Sequence, residues 1–111
     1  MNEVMLIGRL TYDPEAVPSE TAGIICRMRI AFTDRKDKTH FFRVVAFGKQ
    51  AESCINNLSK GDLIGIVGRL EQNTWQDKEG NKRESVGIVA THVDFLRVKS
   101  FRRNDDEDIE A

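Results

Sequence analysis

The chain has 111 residues, enough for one domain around a single hydrophobic core and too few for two. With 40% hydrophobic and 32% charged residues the composition is that of a globular protein, and no apolar run approaches the ~18 residues of a membrane span. The formal net charge of −1 hides a split: five of the 18 acids lie in residues 104–111, NDDEDIEA, so the 17 bases of residues 1–103 face only 13 acids, giving a body of +4 and a tail of −5. Such a body calls for an anionic ligand, while the acidic tip either plays a separate part or only aids solubility.

The opening MNEVMLIGRL carries Glu3 and lacks the basic-then-apolar pattern of a secretory signal, so a cytoplasmic protein is expected. Residues 3–12, EVMLIGRLTY, read as a strand whose interior Gly8 marks a bulge or bend, which suits a closed barrel. Asp13-Pro14 ends it with a turn, and polar SETAG leads to a second strand, residues 24–32. There Ile24, Cys26, Met28, Ile30 and Phe32 alternate with Ile25, Arg27, Arg29 and Ala31, one face core and the other cationic. Cys26 and Cys54 are too few and too far apart for a disulfide framework or a zinc site and read as buried, reduced thiols.

After the loop TDRKDKT, residues 40–49, HFFRVVAFGK, form a third strand. One face shows His40, Phe42, Val44, Ala46 and Gly48, a core face; the other shows Phe41, Arg43, Val45, Phe47 and Lys49, where rings interleave with cations. In KQAESCINNL the period changes: Ala51, Cys54, Ile55 and Leu58 fall at i, i+3, i+4 and i+7, predicting one short amphipathic helix stopped near Gly61. A fourth strand follows at residues 62–71, whose IVGRL echoes the earlier LIGRL. A polar hairpin, QNTWQDKEGNK, then precedes a last strand over residues 83–98. The order predicts an all-β fold: a five-stranded Greek-key barrel of the oligonucleotide-binding (OB) type, with one short helix between strands 3 and 4. An SH3-like barrel is the alternative, though it has no regular place for that helix.

Rings beside cations are what single-stranded nucleic acid requires, since its unstacked bases expose π faces and its backbone is a line of charge. Phe41 and Phe47 would stack bases; Arg27, Arg29, Arg43 and Lys49 would follow phosphates. The plain alternative packs both rings in the core and leaves the cations solvated. Trp75, in its polar hairpin, either caps a small loop cluster or, near Lys78, Lys82 and Arg83, supplies a third ring. No phosphate-binding glycine loop, H-E-x-x-H or G-x-S-x-G occurs, and neither His40 nor His92 has companions at ligand spacing. No enzyme, cofactor or metal is expected.

The segments RVVAFGKQAE, KGDLIGIVGRL and TWQDKEGNKRES, in this order and spacing, resemble the bacterial single-stranded DNA-binding protein family over about residues 2–99. The resemblance implies an OB fold, usually a homotetramer with a dimer as the alternative. It also implies nearly sequence-independent binding of single-stranded DNA in replication, recombination and repair, in the bacterial cytoplasm at the nucleoid. Its stacking aromatics fall on Phe41, Phe47 and Trp75, its phosphate-facing bases on Arg43, Lys49, Lys60 and Arg83, and a subunit-contact residue on Phe42. Contact through the first strand would involve Val4 and Leu6. Residues 1–100 are expected to be the binding domain and 101–111 an acidic tail without fixed structure.

The chain also departs from the family pattern. Ala16-Val17-Pro18 stand where an Arg-Tyr pair is usual, Glu71-Gln72-Asn73 replace bases before the tryptophan, and DDEDIEA lacks a terminal Pro-Phe and the long linker before it. A weaker or smaller DNA footprint is expected, and docking of replication or repair proteins through the tail is in question. The competing function is an OB-type protein-interaction module of replication restart. RNA binding of the cold-shock kind would need ring clusters on strands two and three that are not seen.

Overall fold

The computed structural model describes residues 1–21 and 23–99; the acidic tail expected at 101–111 lies outside the described residues. Six strands and one helix occur among them: β1 Val4–Leu10, β2 Glu15–Ser19, β3 Gly23–Thr33, β4 Thr39–Phe47, α1 Gly48–Asn57, β5 Leu63–Gln76 and β6 Lys82–Arg97. The sheet runs β1-β5-β6-β4-β3, and a pairing of β1 with β3 closes it into a ring of five strands. Every pair is antiparallel except β4–β6, joined in parallel at Val44↔Ile88 and Val45↔Val89. The predicted barrel, with its helix between the third and fourth strands of the ring, is the observed one.

The additional strand is β2, which pairs with the edge of β3 not used by β4. Residues Gly23–Arg27 of β3 take β2, and Ile30–Ala31 take β1, so two strands joined through Thr11 share one edge. The Thr11 amide donates to Arg29 O at 2.9 Å and carries the pairing between them. Pro18 is compatible with this strand because β2 lies at the end of the sheet order, where a missing N–H need not face a partner.

The β1–β5 ladder runs through Gly8 without a register shift, so the expected bulge is absent from it, and the glycine instead allows close approach at the seam. A Cβ there would stand 2.8 Å from Ala31 O, on the strand that closes the ring. Its echo, Gly68, lies at a register shift of the β5–β6 ladder, between Val67 and Gly68.

Inside the ring sit Met28, Ile30, Val44, Ile64, Ile66 and Ile88, all essentially without solvent exposure. The helix closes one end by burying Ala51 and Cys54 against this core. Its start is set by Gly48, whose φ of +62° turns the chain out of β4 at a conformation that other residues resist. The predicted third strand therefore ends two residues early, and Lys49 belongs to the helix rather than to the β4 face.

Cys26 and Cys54 are free and buried, as expected. A hydrogen bond between the two thiols, reinforced by burial, pushes the Cys26 thiol well above its ordinary value.

Asp62 is the buried charged residue among the described ones, and it is fully engaged. Its carboxylate accepts the Ser59 amide at 2.9 Å, the Ser59 hydroxyl at 3.4 Å and the Lys99 amide at 3.2 Å, while its carbonyl accepts the Leu10 amide at 3.0 Å. One residue thus ties the segment after the helix to the ends of β1 and β6.

Candidate nucleic-acid interface

The alternation read from residues 40–47 is the alternation found. Val44 and Ala46 are buried, whereas Phe41 and Phe47 turn outward with 49% and 41% of their surface exposed. Rings that open are not core rings, which removes the reading that packed them inside. Arg43, also exposed, stands between them on the same face.

Beside this row, β3 sets its own outward residues in register: Ile25 opposite Phe47, Arg27 opposite Val45, Arg29 opposite Arg43 and Ala31 opposite Phe41. Three arginines are thereby gathered on two adjacent strands. The Arg29 guanidinium carbon lies 4.1 Å from the centroid of the Phe41 ring, a cation–π contact.

A cleft of about 770 Å³ opens along this face. Arg27, Arg29 and Arg43 line it on the β3–β4 side with Tyr12 and Glu15, and Glu71, Asn73 and Ser85 line it from the β5–β6 side. Tyr12, Glu15, Asn73 and Ser85 were not read as site residues from sequence. They lie on segments whose orientation depends on pairings distant in the chain, although Tyr12 is the one tyrosine and is the last residue of a predicted strand.

The polar hairpin expected around Trp75 is instead a continuation of the sheet. The β5–β6 ladder runs without a break from Gly68↔Ala90 to Gln76↔Lys82, with Trp75 opposite Arg83. Its outer part is exposed on both faces, so no hydrophobic period announces it. The turn is closed by Asp77, whose carboxylate accepts the amides of Glu79 at 3.0 Å and Asn81 at 2.9 Å. Trp75 is 48% exposed on this arm.

The remaining predicted cations are spread more widely. Arg83 Nε donates to Asp77 Oδ2 at 3.0 Å, so its charge is partly answered. Lys82, opposite Gln76, lies one position along and therefore on the other face of the arm from Trp75, and Lys78 lies in the turn. Lys49 opens α1. Lys60, between α1 and β5, is exposed while its amide donates to Asp13 Oδ1 at 2.8 Å.

The residues assigned to subunit contact, Val4, Leu6 and Phe42, are half-buried and pack on the core, Phe42 stacking on Phe32 at 5.8 Å. The apolar side chains that β1 turns outward are Met5 and Ile7, 74% and 61% exposed.

A closed five-stranded barrel presenting half-exposed rings among arginines defines an oligonucleotide-binding type of protein. Comparison with known sequences agrees: residues 1–96 match the Single-strand binding protein family. The chain is 42% identical over 102 residues to the Single-stranded DNA-binding protein of Clostridium tetani, a match spanning 86% of this chain and 70% of that one. Against Single-stranded DNA-binding protein 3 of Clostridium acetobutylicum it is 39% identical over 110 residues, 94% of this chain and 76% of the relative. Single-stranded DNA-binding protein 1 of the same species is 35% identical over 106 residues, covering 89% and 96%. The chain belongs to the Single-strand binding protein family. The alternative of a protein-docking barrel is not favoured by these matches.

Proposed function

We propose that this protein binds and protects single-stranded DNA with little sequence preference and without catalysis. Bases stack on Phe41, Phe47 and Trp75, and the phosphates run past Arg27, Arg43, Lys49, Lys60, Lys78, Lys82 and Arg83. The observation that carries this reading is the outward row of β4, two half-exposed rings flanking Arg43. Each stacked base contributes on the order of 1–3 kcal/mol, and every base has a π face, so affinity comes without sequence reading. The names of the relatives support the same ligand. Replication, recombination and repair in the bacterial cytoplasm, at the nucleoid, are the processes in which such a coat acts.

Residues 1–100 serve as the binding domain, and the acidic segment 101–111 as a separate tail that competes with DNA for the basic face. The charge split, +4 over residues 1–103 against −5 over 104–111, supports this, and deletion of 104–111 should tighten binding at low salt.

The protein assembles as a homotetramer with subunit contact through β1 and Phe42. Residues Val4–Gly8 pair only with β5 among the described residues, leaving the other edge of β1 open beside Met5 and Ile7. Light scattering of the wild type and of Met5→Asp/Ile7→Asp tests this: a monomeric mass for both counts against assembly through β1.

Trp75 fluorescence during titration with a dT homopolymer, repeated across salt and with duplex DNA as control, tests the ligand. Quenching by the single strand alone, with affinity falling as salt rises, is expected. The absence of both quenching and a gel shift would remove the reading.

A further inference from the structure

We propose that Arg29 is a positioning residue for base stacking, covering one face of the Phe41 ring so that a base meets only the other. The inference rests on the single-stranded DNA reading above and deepens it. On sequence grounds Arg29 counted as a phosphate contact, equal to Arg27 and Arg43; the geometry gives it different work.

Three features place its guanidinium over the ring. Arg29 stands directly opposite Arg43 in the β3–β4 ladder, and like charges facing each other across a ladder repel. Phe41 is the diagonal neighbour, two residues along β4, and its π face attracts a cation. Ala31, opposite Phe41, is too small to occupy the space over the ring, so the Arg29 side chain fills it, 4.1 Å from the centroid. Arg29 is accordingly half-buried while Arg27 and Arg43 are exposed.

Among the described residues Phe41 makes no second cation–π or ring contact. The β4–β6 ladder covers only Val44 and Val45 and does not reach Phe41, so the ring keeps 49% of its surface open. A phenyl group clamped on one side and open on the other is a prepared platform, and the entropy of fixing it is spent before DNA arrives. A guanidinium engaged with a ring replaces fewer counterions on DNA than one left in solvent. Arg43 is then the cation that meets the phosphate beside the stacked base.

The two roles separate by salt. Anisotropy titrations of a labelled dT oligonucleotide over a range of salt would compare wild type, Arg29→Ala, Arg29→Lys, Arg43→Ala, Phe41→Ala and the Arg29→Ala/Phe41→Ala pair. Arg43→Ala should lower the slope of log K against log salt by about 0.7, the effect of one phosphate contact on a single strand. Arg29→Ala should leave the slope unchanged and weaken binding roughly 2- to 5-fold, the range for an exposed cation–π contact. That loss should vanish once Phe41 is already alanine. Arg29→Lys, which keeps the charge and gives up the flat guanidinium, should recover only part of it. A slope reduced by Arg29→Ala as much as by Arg43→Ala, or an equal loss with and without Phe41, would overturn the proposal while leaving DNA binding intact. Absence of binding by the wild type would overturn the ligand reading and this inference together.

Discussion

Arg83 stands opposite Trp75 on the β5–β6 arm, and its Nε donates to Asp77 Oδ2 at 3.0 Å, so the base nearest the tryptophan is held by the residue that also builds the turn. The Asn81 amide, the Arg83 guanidinium and the Glu79 amide together hold the Asp77 carboxyl below its ordinary value of 3.8. A depressed carboxylate stabilises the folded arm above its unfolded pKa, and that contribution is lost as pH falls through the lower, folded one. The Glu79 and Asn81 amide resonances should therefore follow a titration whose midpoint lies below that of an ordinary aspartate. A midpoint at or above the ordinary aspartate value would show that the carboxylate is not held as described.

The same contact limits Arg83 as a phosphate ligand. Asp77→Asn keeps an acceptor oxygen for the turn amides and removes the charge facing Arg83. Binding of single-stranded DNA should tighten at low salt, with the salt slope steeper by up to about 0.7. An unchanged slope would mean that Arg83 already reaches the backbone in the wild type.

Phe41, Phe47 and Trp75 each keep more than two fifths of their surface in solvent, so replacing any of them with alanine leaves no cavity in the barrel. Each replacement should cost on the order of 1–3 kcal/mol of DNA binding and well under that in folding stability. Paired calorimetric titrations and urea unfolding curves measure the two quantities. A ring whose loss lowers stability more than binding is packing rather than stacking.

Cys26 and Cys54 lie fully buried with their thiols in contact, and Cys26 resists ionisation. A reagent cannot reach a thiol without solvent exposure, so both cysteines should be silent to a thiol reagent in the native protein and react when the chain is unfolded in denaturant. Prompt labelling of either in the native state would place it nearer the surface than described.

Asp62 accepts hydrogen bonds from Ser59 and Lys99 without exposure to water. Asp62→Ala leaves those donors without their acceptor and should destabilise the fold by about 1–3 kcal/mol for the buried groups left unpaired. Chemical denaturation measures it, and a loss under half of the lower figure would show that water replaces the carboxylate there.

Features written in local periods were legible before any tertiary contact was known. A period of two put Val44 and Ala46 inside and Phe41, Arg43 and Phe47 outside, because a strand can bury only alternate side chains. The i, i+3, i+4, i+7 spacing of Ala51, Cys54, Ile55 and Leu58 located the helix on the same grounds. The tertiary structure decided what depends on partners far along the chain. Strand β2 has a proline and no apolar alternation, and it exists because an edge of β3 is open to it. The outer arm is polar on both faces, so its ladder is held by backbone pairing that leaves no hydrophobic trace in sequence. Lys49 left the β4 face because Gly48 turned the chain into the helix. Arg29 looked like any other arginine of its strand until register put Arg43 in front of it and the ring of Phe41 diagonally beside it. Composition supplies a cation; only pairing between strands determines whether a phosphate or a ring will hold it.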